Sequence, residues 1–149
     1  MREQRLGFVA TTNADGSPNL SPKGTTSVWD DTHLVFADIR SPGTVANLRR
    51  DPRCEINVVD PMVRKGYRFR GVAEVFEDGD RFDEIVGWYE RRGLQARDEA
   101  GRRIRAVVLV EVHETKPLVS PAYDAGVTED QMRERWVAYW ESLGRPTGR

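Results

Sequence analysis

The sequence predicts a small, mostly antiparallel β-barrel with helices packed outside it. Two observations carry this prediction. Short apolar and β-branched segments alternate with tight turns, and three helix-like segments interrupt them, in the order β-β-β-α-β-β-α-β-α with six strands. The length of 149 residues suits one domain spanning residues 1–149, because a second domain does not fit.

The first three strands form a predicted meander. Residues 6–12 are rich in apolar and β-branched side chains and lead into Asp15-Gly16, a pair that favours a tight hairpin. The next strand is expected over residues 18–29, reverses at Asp30-Asp31, and returns over residues 33–37. Three antiparallel strands are therefore expected before residue 38.

A helix is predicted to begin at Ser41. Ser41 suits the N-cap, Pro42 suits the first helical position, and Val45 and Leu48 supply an apolar face. Asp51-Pro52 ends the segment, because a proline interrupts a helix.

The remaining strands complete the predicted barrel. Residues 54–58 and 67–70 alternate with period two on either side of a loop at residues 60–62. Residues 104–112 form the most apolar stretch of the chain, which is typical of a central or barrel-closing strand.

Two further helices are predicted in the second half of the chain. The first follows Asp78-Gly79-Asp80 and ends near Gly93, a typical C-terminal cap. The second starts at a capping box over residues 128–131 and continues to the C-terminal region. One side of this last helix is expected to carry Met132, Trp136, Tyr139, Trp140 and Leu143.

Composition argues against several classes of partner. A net charge of −1 and a pI near 6.2 give no basic field for nucleic acid or an anionic membrane. No window approaches the roughly 20 apolar residues of a membrane span, and the first residues do not resemble a signal peptide, so we expect a cytoplasmic location. Cys54, His33 and His113 are too few for a zinc site, and no metal is predicted.

Common catalytic motifs are missing from the sequence. It contains no Gly-rich dinucleotide fingerprint, no phosphate loop and no Gly-x-Ser-x-Gly elbow. Cys54 lies in a predicted strand, where a buried and unreactive thiol is expected. No catalytic residue is therefore assigned.

Two polar segments are candidates for ligand binding. Residues 19–26 contain Pro22 and Gly24 inside a predicted strand, which indicates either a bulged edge strand or an opening that meets a ligand. Residues 41–44 place hydroxyl groups and free N–H groups at a helix start, which suits either a phosphate or an ordinary cap.

The order and spacing of these motifs resemble the pyridoxamine 5′-phosphate oxidase-like family. The resemblance covers roughly residues 6–76, with the rest matching by element order. It is carried by Leu6-Gly7-Phe8-Val9-Ala10-Thr11, by Asp15-Gly16-Ser17-Pro18-Asn19-Leu20-Ser21-Pro22-Lys23-Gly24, by Phe36-Ala37-Asp38, by Ser41-Pro42-Gly43-Thr44, and by Asn47-Leu48 with Asp51-Pro52.

The resemblance implies a six-stranded split β-barrel that forms a homodimer, with FMN in each of two grooves at the subunit interface. Contacts to the isoalloxazine edge are implied for Ser21, Pro22, Lys23 and Gly24, and contacts to the ring or ribityl chain for Ala37, Asp38 and Ile39 on the adjacent strand. The phosphate would be held by Ser41 and Thr44 with Asn47 behind them, and Lys65 and Arg68 would reach the flavin, from the same or the partner subunit.

The sequence also departs from the family's namesake. The Arg-rich C-terminal segment that binds the vitamin substrate is replaced by the helix over residues 132–143. Where many relatives carry a basic phosphate ligand, this chain has Ser21, so Lys23, Arg40 or Lys65 must supply the charge. The resemblance implies an FMN-dependent oxidoreductase of an unidentified small molecule. A flavin carrier or redox sensor without turnover, or the same fold binding a deazaflavin or haem, remains open.

Overall fold

A computed structural model describes residues 4–93 and 104–144. Within these residues the chain forms seven strands, three α-helices and a short 3-10 turn at Pro121–Tyr123. None of the helices within this part of the chain is long and apolar enough to cross a membrane. The elements are, in chain order, β1 (Gly7–Thr12), β2 (Pro18–Lys23), β3 (Ser27–Val28), β4 (His33–Asp38), α1 (Pro42–Arg50), β5 (Arg53–Asp60), β6 (Lys65–Phe76), α2 (Gly79–Arg91), β7 (Ala106–Val119) and α3 (Glu129–Gly144).

The strand predicted over residues 18–29 is two strands, so the described sheet has seven strands where six were expected. β2 ends at Lys23 and β3 begins at Ser27, and residues 24–26, here named the crossover, leave the ladder between them. β2 is an edge strand, a position at which a sheet tolerates a proline such as Pro22.

The crossover explains why the sheet curls. The strand order is β2-β1-β5-β6-β7-β4-β3, so β2 and β3 lie at opposite edges although only three residues separate them. A flat sheet of seven strands would place its edges about 29 Å apart at ~4.8 Å per strand. The four residue steps from Lys23 to Ser27 span at most about 15 Å at 3.8 Å each. The sheet must therefore bend into a barrel that stays split beside β2.

Apolar packing occupies both faces of the strands at the centre of the sheet. β7 lies between β6 and β4, and residues 106–110 are buried, which confirms the apolar stretch as a central strand. Phe36 and Val108 belong to the barrel interior, whereas Val35 and Val107 pack under α2. Because the barrel interior covers one face of β4 and β7 and α2 covers the other, these two strands are held in place by packing on both faces.

The helix boundaries follow the predicted signals, but the last helix packs differently. Thr128 and Gln131 exchange backbone-to-side-chain hydrogen bonds of 2.9 and 3.3 Å, which confirms the capping box. Of the predicted apolar side of α3, only Met132 is buried. Trp140 remains 49% exposed, because α3 contacts the rest of the domain mainly through its first two turns.

Candidate functional site

Side chains of β2 face the start of α1 at the split. Asn19, Ser21 and Lys23 alternate along β2 on the side that is shielded from solvent. Their strand pairs with β1 in a register that sets Ser21 opposite Val9, a fully buried core residue. The alternation of the strand therefore aims these three polar groups inward, toward α1.

Lys23 is the centre of a buried polar group, here named the Lys23 cluster, that consists of Ser21, Lys23, Asp38 and Ser41. Lys23 is only 4% exposed to solvent. Its Nζ donates to Ser21 Oγ at 2.7 Å and to Ser41 Oγ. The Ser41 hydroxyl in turn donates to Asp38 Oδ1 at 2.5 Å. A chain of hydrogen bonds thus connects an ammonium on β2, through a hydroxyl, to a carboxylate on β4.

The electrostatics of Lys23 are set by two opposing causes. Burial lowers the pKa of the Lys23 ammonium below its ordinary value of 10.5, and the nearby charge of Asp38 offsets part of this shift. Asp38 is itself only 2% exposed. The cluster therefore holds a cation at the N-terminus of α1 with one carboxylate as its counter-charge.

Ser41 does not cap α1 with its side chain, so that part of the sequence prediction is wrong. The Ser41 hydroxyl donates a hydrogen bond to Asp38 and accepts one from Lys23. The Ser41 N–H also donates to Asp38 Oδ1, at 2.7 Å. The carboxylate of Asp38 therefore occupies the position at which an anion would meet the Ser41 amide and hydroxyl.

Thr44 and Asn47 connect α1 to the β1-β2 hairpin. Thr44 Oγ1 accepts from Asn19 Nδ2 at 3.5 Å, and Asn47 Nδ2 donates to Thr11 Oγ1 at 3.1 Å and to Asn13 Oδ1 at 2.9 Å. Both side chains belong to buried residues. In this structure they fix the position of the helix start relative to β2.

Ala37 meets the crossover through a side chain that sequence reasoning did not single out. Thr25 Oγ1 accepts from the Ala37 N–H at 2.8 Å and donates to the Ala37 carbonyl at 3.2 Å. β4 pairs with β3 and β7, and not with β2. This corrects the expectation that the strands carrying Lys23 and Ala37 are adjacent. A threonine directly after Gly24 was the one available signal, because β-branched hydroxyl residues favour extended backbone.

Lys65 and Arg68 lie outside the Lys23 cluster. Lys65 Nζ pairs with Glu129 Oε1 at 2.6 Å and lies 4.2 Å from the centre of the Tyr123 ring. Arg68 is on the outer face of β6, with its Nε 3.1 Å from Glu55 Oε1. Within one chain, the predicted polar site residues that meet are those of β2, of β4 and of the start of α1. Lys65 and Arg68 do not join them.

Other chemistry-bearing side chains are isolated. Burial raises the pKa of the Cys54 thiol to about 12, so the thiol stays protonated. Among residues 4–93 and 104–144, no three His, Cys, Asp or Glu side chains gather as a possible metal site.

Comparison with known proteins gives a family and several solved structures. The family model described as pyridoxamine 5′-phosphate oxidase matches residues 1–117. No curated protein sequence is significantly similar. HupZ of Group A Streptococcus is 30% identical over 79% of this chain and 87% of its own, with a TM-score of 0.67.

Two more distant structures share the fold. An FMN-binding protein of Syntrophomonas wolfei is 14% identical over 76% of this chain and 77% of its own, with a TM-score of 0.62. An F420 reductase is 20% identical over 77% of this chain and 92% of its own, with a TM-score of 0.58.

Proposed function

Because this chain belongs to the pyridoxamine 5′-phosphate oxidase family, we propose that it binds FMN and works as an FMN-dependent oxidoreductase on a small molecule. The observation that carries the proposal is the Lys23 cluster. It combines a buried ammonium with the Ser21 and Ser41 hydroxyls at a helix N-terminus. This donor set suits a phosphate monoester, which prefers charge-assisted hydrogen bonds and the positive end of a helix.

The cluster fits a phosphate on one condition. Asp38 now accepts from the Ser41 N–H and hydroxyl, and two anions cannot share those donors. A bound phosphate therefore takes the place of the Asp38 carboxylate at Ser41, and Lys23 changes its counter-ion. The exchange is favoured by the dianionic charge of the phosphate.

The other predicted site residues have supporting roles in this proposal. Thr44 and Asn47 hold the helix start against the β1-β2 hairpin, and Thr44 can offer its hydroxyl to the phosphate. The flavin edge is contacted by Pro22 and Gly24 on one side of the split and by residues 37–39 on the other. Flavin supplies the electron transfer, and the protein supplies binding, orientation and access for the substrate.

The donor set favours FMN over FAD. A terminal phosphate needs one anion site, whereas a pyrophosphate is usually cradled by a Gly-rich turn that this sequence lacks. The F420 reductase shares the fold at 20% identity, so a deazaflavin is the second candidate cofactor. Their absorption spectra differ, and the spectrum of the purified protein separates them.

An outward face of the sheet supports a homodimer. Pro22, Phe8, Asn57 and Arg68 lie directly opposite one another on β2, β1, β5 and β6, so they share one face. Phe8 and Leu20 on this face are among the exposed large apolar residues. Asn57 Oδ1 is inaccessible to solvent and has no hydrogen-bond partner among the described residues, whereas Arg68 Nε is inaccessible and lies 3.1 Å from Glu55 Oε1 without a hydrogen bond. A second copy would cover the apolar groups and supply partners for the polar ones.

Oligomeric state tests the dimer. Sedimentation is expected to give twice the mass of 17.0 kDa at micromolar concentration, and Leu20→Lys is expected to shift the protein toward monomer. Val137→Lys, an exposed apolar position on α3, is the matched control. A monomeric wild-type protein would contradict this arrangement. The expected cytoplasmic location stays a prediction.

The cofactor assignment is tested by titrating FMN into apo-protein while following flavin fluorescence. Ser41→Ala with Thr44→Val is expected to weaken binding by about a hundredfold or more, because hydrogen bonds to a charged group contribute about 1.5–3 kcal/mol each. Ser142→Ala with Thr115→Val, both exposed, is the control pair. Unchanged affinity in the first pair places the phosphate elsewhere. Reduction of bound flavin by NADH or NADPH and reoxidation by air distinguishes an oxidoreductase from a carrier.

A further inference from the structure

A cavity of about 520 Å³ lies on the α2 side of the crossover, where no sequence motif pointed. It is bounded by residues 25–31, by the last turn of α2 with Trp88, Tyr89 and Arg92, and by Arg5. Its volume is within the range of about 300–1,000 Å³ that is usual for small-molecule sites. None of the residues of the Lys23 cluster lines it.

Two tryptophans supply the aromatic surface of this cavity, here named the Trp cavity. The rings of Trp29 and Trp88 are 5.4 Å apart at 44°, and Trp88 meets Tyr89 edge-on at 5.0 Å. Trp29 and Trp88 are half-buried and Tyr89 is buried, so the rings are held in place while part of the indole surface faces the cavity. Such surfaces stack on flat aromatic molecules.

Guanidinium groups supply positive charge beside the rings. The Arg92 guanidinium lies 3.9 Å from the centre of the Trp88 ring. The Arg81 guanidinium lies 5.3 Å from Trp29, but it pairs with Glu84 at 2.6 Å and does not line the cavity. Arg5 also lines the cavity. The lining also holds Asp30 and Asp31, so its formal charges balance, and Asp30 Oδ1 already accepts from the backbone N–H groups of Thr32 and His33 at 2.8 Å each. Planar guanidinium groups pair with carboxylates in two-point geometry.

The hydroxyl groups of the lining are already used by the fold. Thr25 Oγ1 holds the Ala37 backbone, Thr26 Oγ1 donates to the Lys23 carbonyl at 2.9 Å, and Tyr89 Oη donates to the Thr25 carbonyl at 2.9 Å. These groups have little capacity left for a polyol or sugar. The remaining recognition groups are the aromatic faces, the guanidinium cations of Arg5 and Arg92, and the carboxylates of Asp30 and Asp31.

We propose that the Trp cavity binds planar aromatic carboxylates, with the ring against Trp29 and Trp88 and the carboxylate on Arg92 and Arg5. The binding stands on the cavity alone. Because Thr25 lies between the cavity and Ala37, the occupant would be the molecule that the flavin oxidises or reduces, and this second statement rests on the proposed function.

Calorimetric titration of the full-length apo-protein with 2-naphthoate tests the proposal. We expect 2-naphthoate to bind at least tenfold more tightly than 2-naphthalenemethanol, which lacks the charge, and than cyclohexanecarboxylate, which lacks the aromatic ring. Arg92→Gln is expected to reduce 2-naphthoate to the affinity of the alcohol. Trp88→Leu is expected to weaken it at least tenfold. Arg133→Gln and Trp140→Leu on α3 are the matched controls and are expected to bind as the wild type does.

Arg92→Gln changes an exposed residue at the end of α2, so it keeps the test valid even where Trp88→Leu impairs folding. Absence of binding at millimolar 2-naphthoate, or equal affinity for the acid and the alcohol, overturns the proposal. Mutually exclusive binding of FMN and 2-naphthoate, with FMN weakened by Trp88→Leu, also overturns it, because the cavity would then hold the flavin itself. Binding of 2-naphthoate by a protein that fails to bind FMN supports the cavity and contradicts the proposed function.

Discussion

The two sides of the crossover use polar groups in different ways. On the α1 side, the Lys23 cluster buries a cation and a carboxylate that are linked through Ser41. On the α2 side, the hydroxyls are bound to the backbone, and the cavity presents tryptophan rings and guanidinium groups. On the α1 side the binding groups are hydrogen-bonded to one another, whereas on the α2 side the aromatic rings and guanidinium groups are accessible to a ligand.

This difference indicates how each side responds to change. A ligand on the α1 side must replace bonds that the protein already makes, so binding there is coupled to the stability of the free protein. A ligand in the Trp cavity replaces solvent. Variants of the α1 side are therefore expected to alter affinity and stability together, whereas Arg92→Gln, at an exposed residue of the cavity, is expected to alter affinity alone.

The largest expected effect comes from Lys23→Met, which keeps the apolar stem and removes the charge. FMN affinity is expected to fall by about a hundredfold, because a charge-assisted contact contributes on the order of 1.5–3 kcal/mol. Fluorescence titration measures it. Lys116→Met, at an exposed position on β7, is the control. Equal affinities in the two variants would mean that Arg40 or Lys65, and not Lys23, supplies the positive charge that binds the phosphate.

A substitution at Gly7 tests how tightly the crossover packs against β1. A Cβ at Gly7 would lie 2.5 Å from Thr26 Oγ1 and 2.9 Å from Thr26 Cβ, and Thr26 is buried. Gly7→Ala is expected to lower the free energy of unfolding by about 1–3 kcal/mol, as overpacking usually does. Urea denaturation measures the loss. Gly24→Ala meets no atom within 4 Å and is expected to be nearly neutral, so equal losses would contradict the steric argument.

Asp38→Asn separates competition from support within the Lys23 cluster. Asparagine keeps an acceptor oxygen but lacks the charge, so it holds the Ser41 donors more weakly, and FMN affinity is expected to rise by about tenfold, which corresponds to about 1.4 kcal/mol. The apo-protein is expected to lose stability, because buried Lys23 loses its counter-charge. Titration and urea denaturation measure the two effects, with Asp124→Asn as the exposed control. A fall in affinity would mean that Asp38 supports FMN binding more than it competes with the phosphate for Ser41.

The smallest expected effect is a pH dependence. Between the lowered pKa of Lys23 in the folded protein and 10.5 in the unfolded chain, the unfolded state binds more protons, so this group's contribution to stability rises with pH. FMN binding has the opposite sign, because the phosphate needs the charged ammonium. In the wild type, affinity is expected to fall as the pH rises through the lowered pKa of Lys23. Lys23→Met is expected to show a flat profile, and a parallel decline would assign the titration to another group.

The sequence by itself determined the features that depend on neighbouring residues. Asp15-Gly16 predicted the first hairpin, Asp51-Pro52 the end of α1, and the uninterrupted apolar run over residues 106–110 the central strand. Periodicity and turn chemistry act over a few residues, so these elements could be recognised without tertiary contacts. The family resemblance also marked the strand and the helix start that meet at the split.

Only the tertiary structure decided which polar groups meet. Asp38 and Ser41 are three positions apart and meet locally, but Lys23 is 18 positions from Ser41, and the bend of the sheet brings its strand to them. Ser41 thus has two partners, Asp38 from the same turn and Lys23 from across the bend, and its hydroxyl does not cap α1. Trp29 and Trp88 are 59 positions apart, and no local pattern relates them. Such contacts depend on how a seven-stranded sheet closes, and closure is a property of the whole chain.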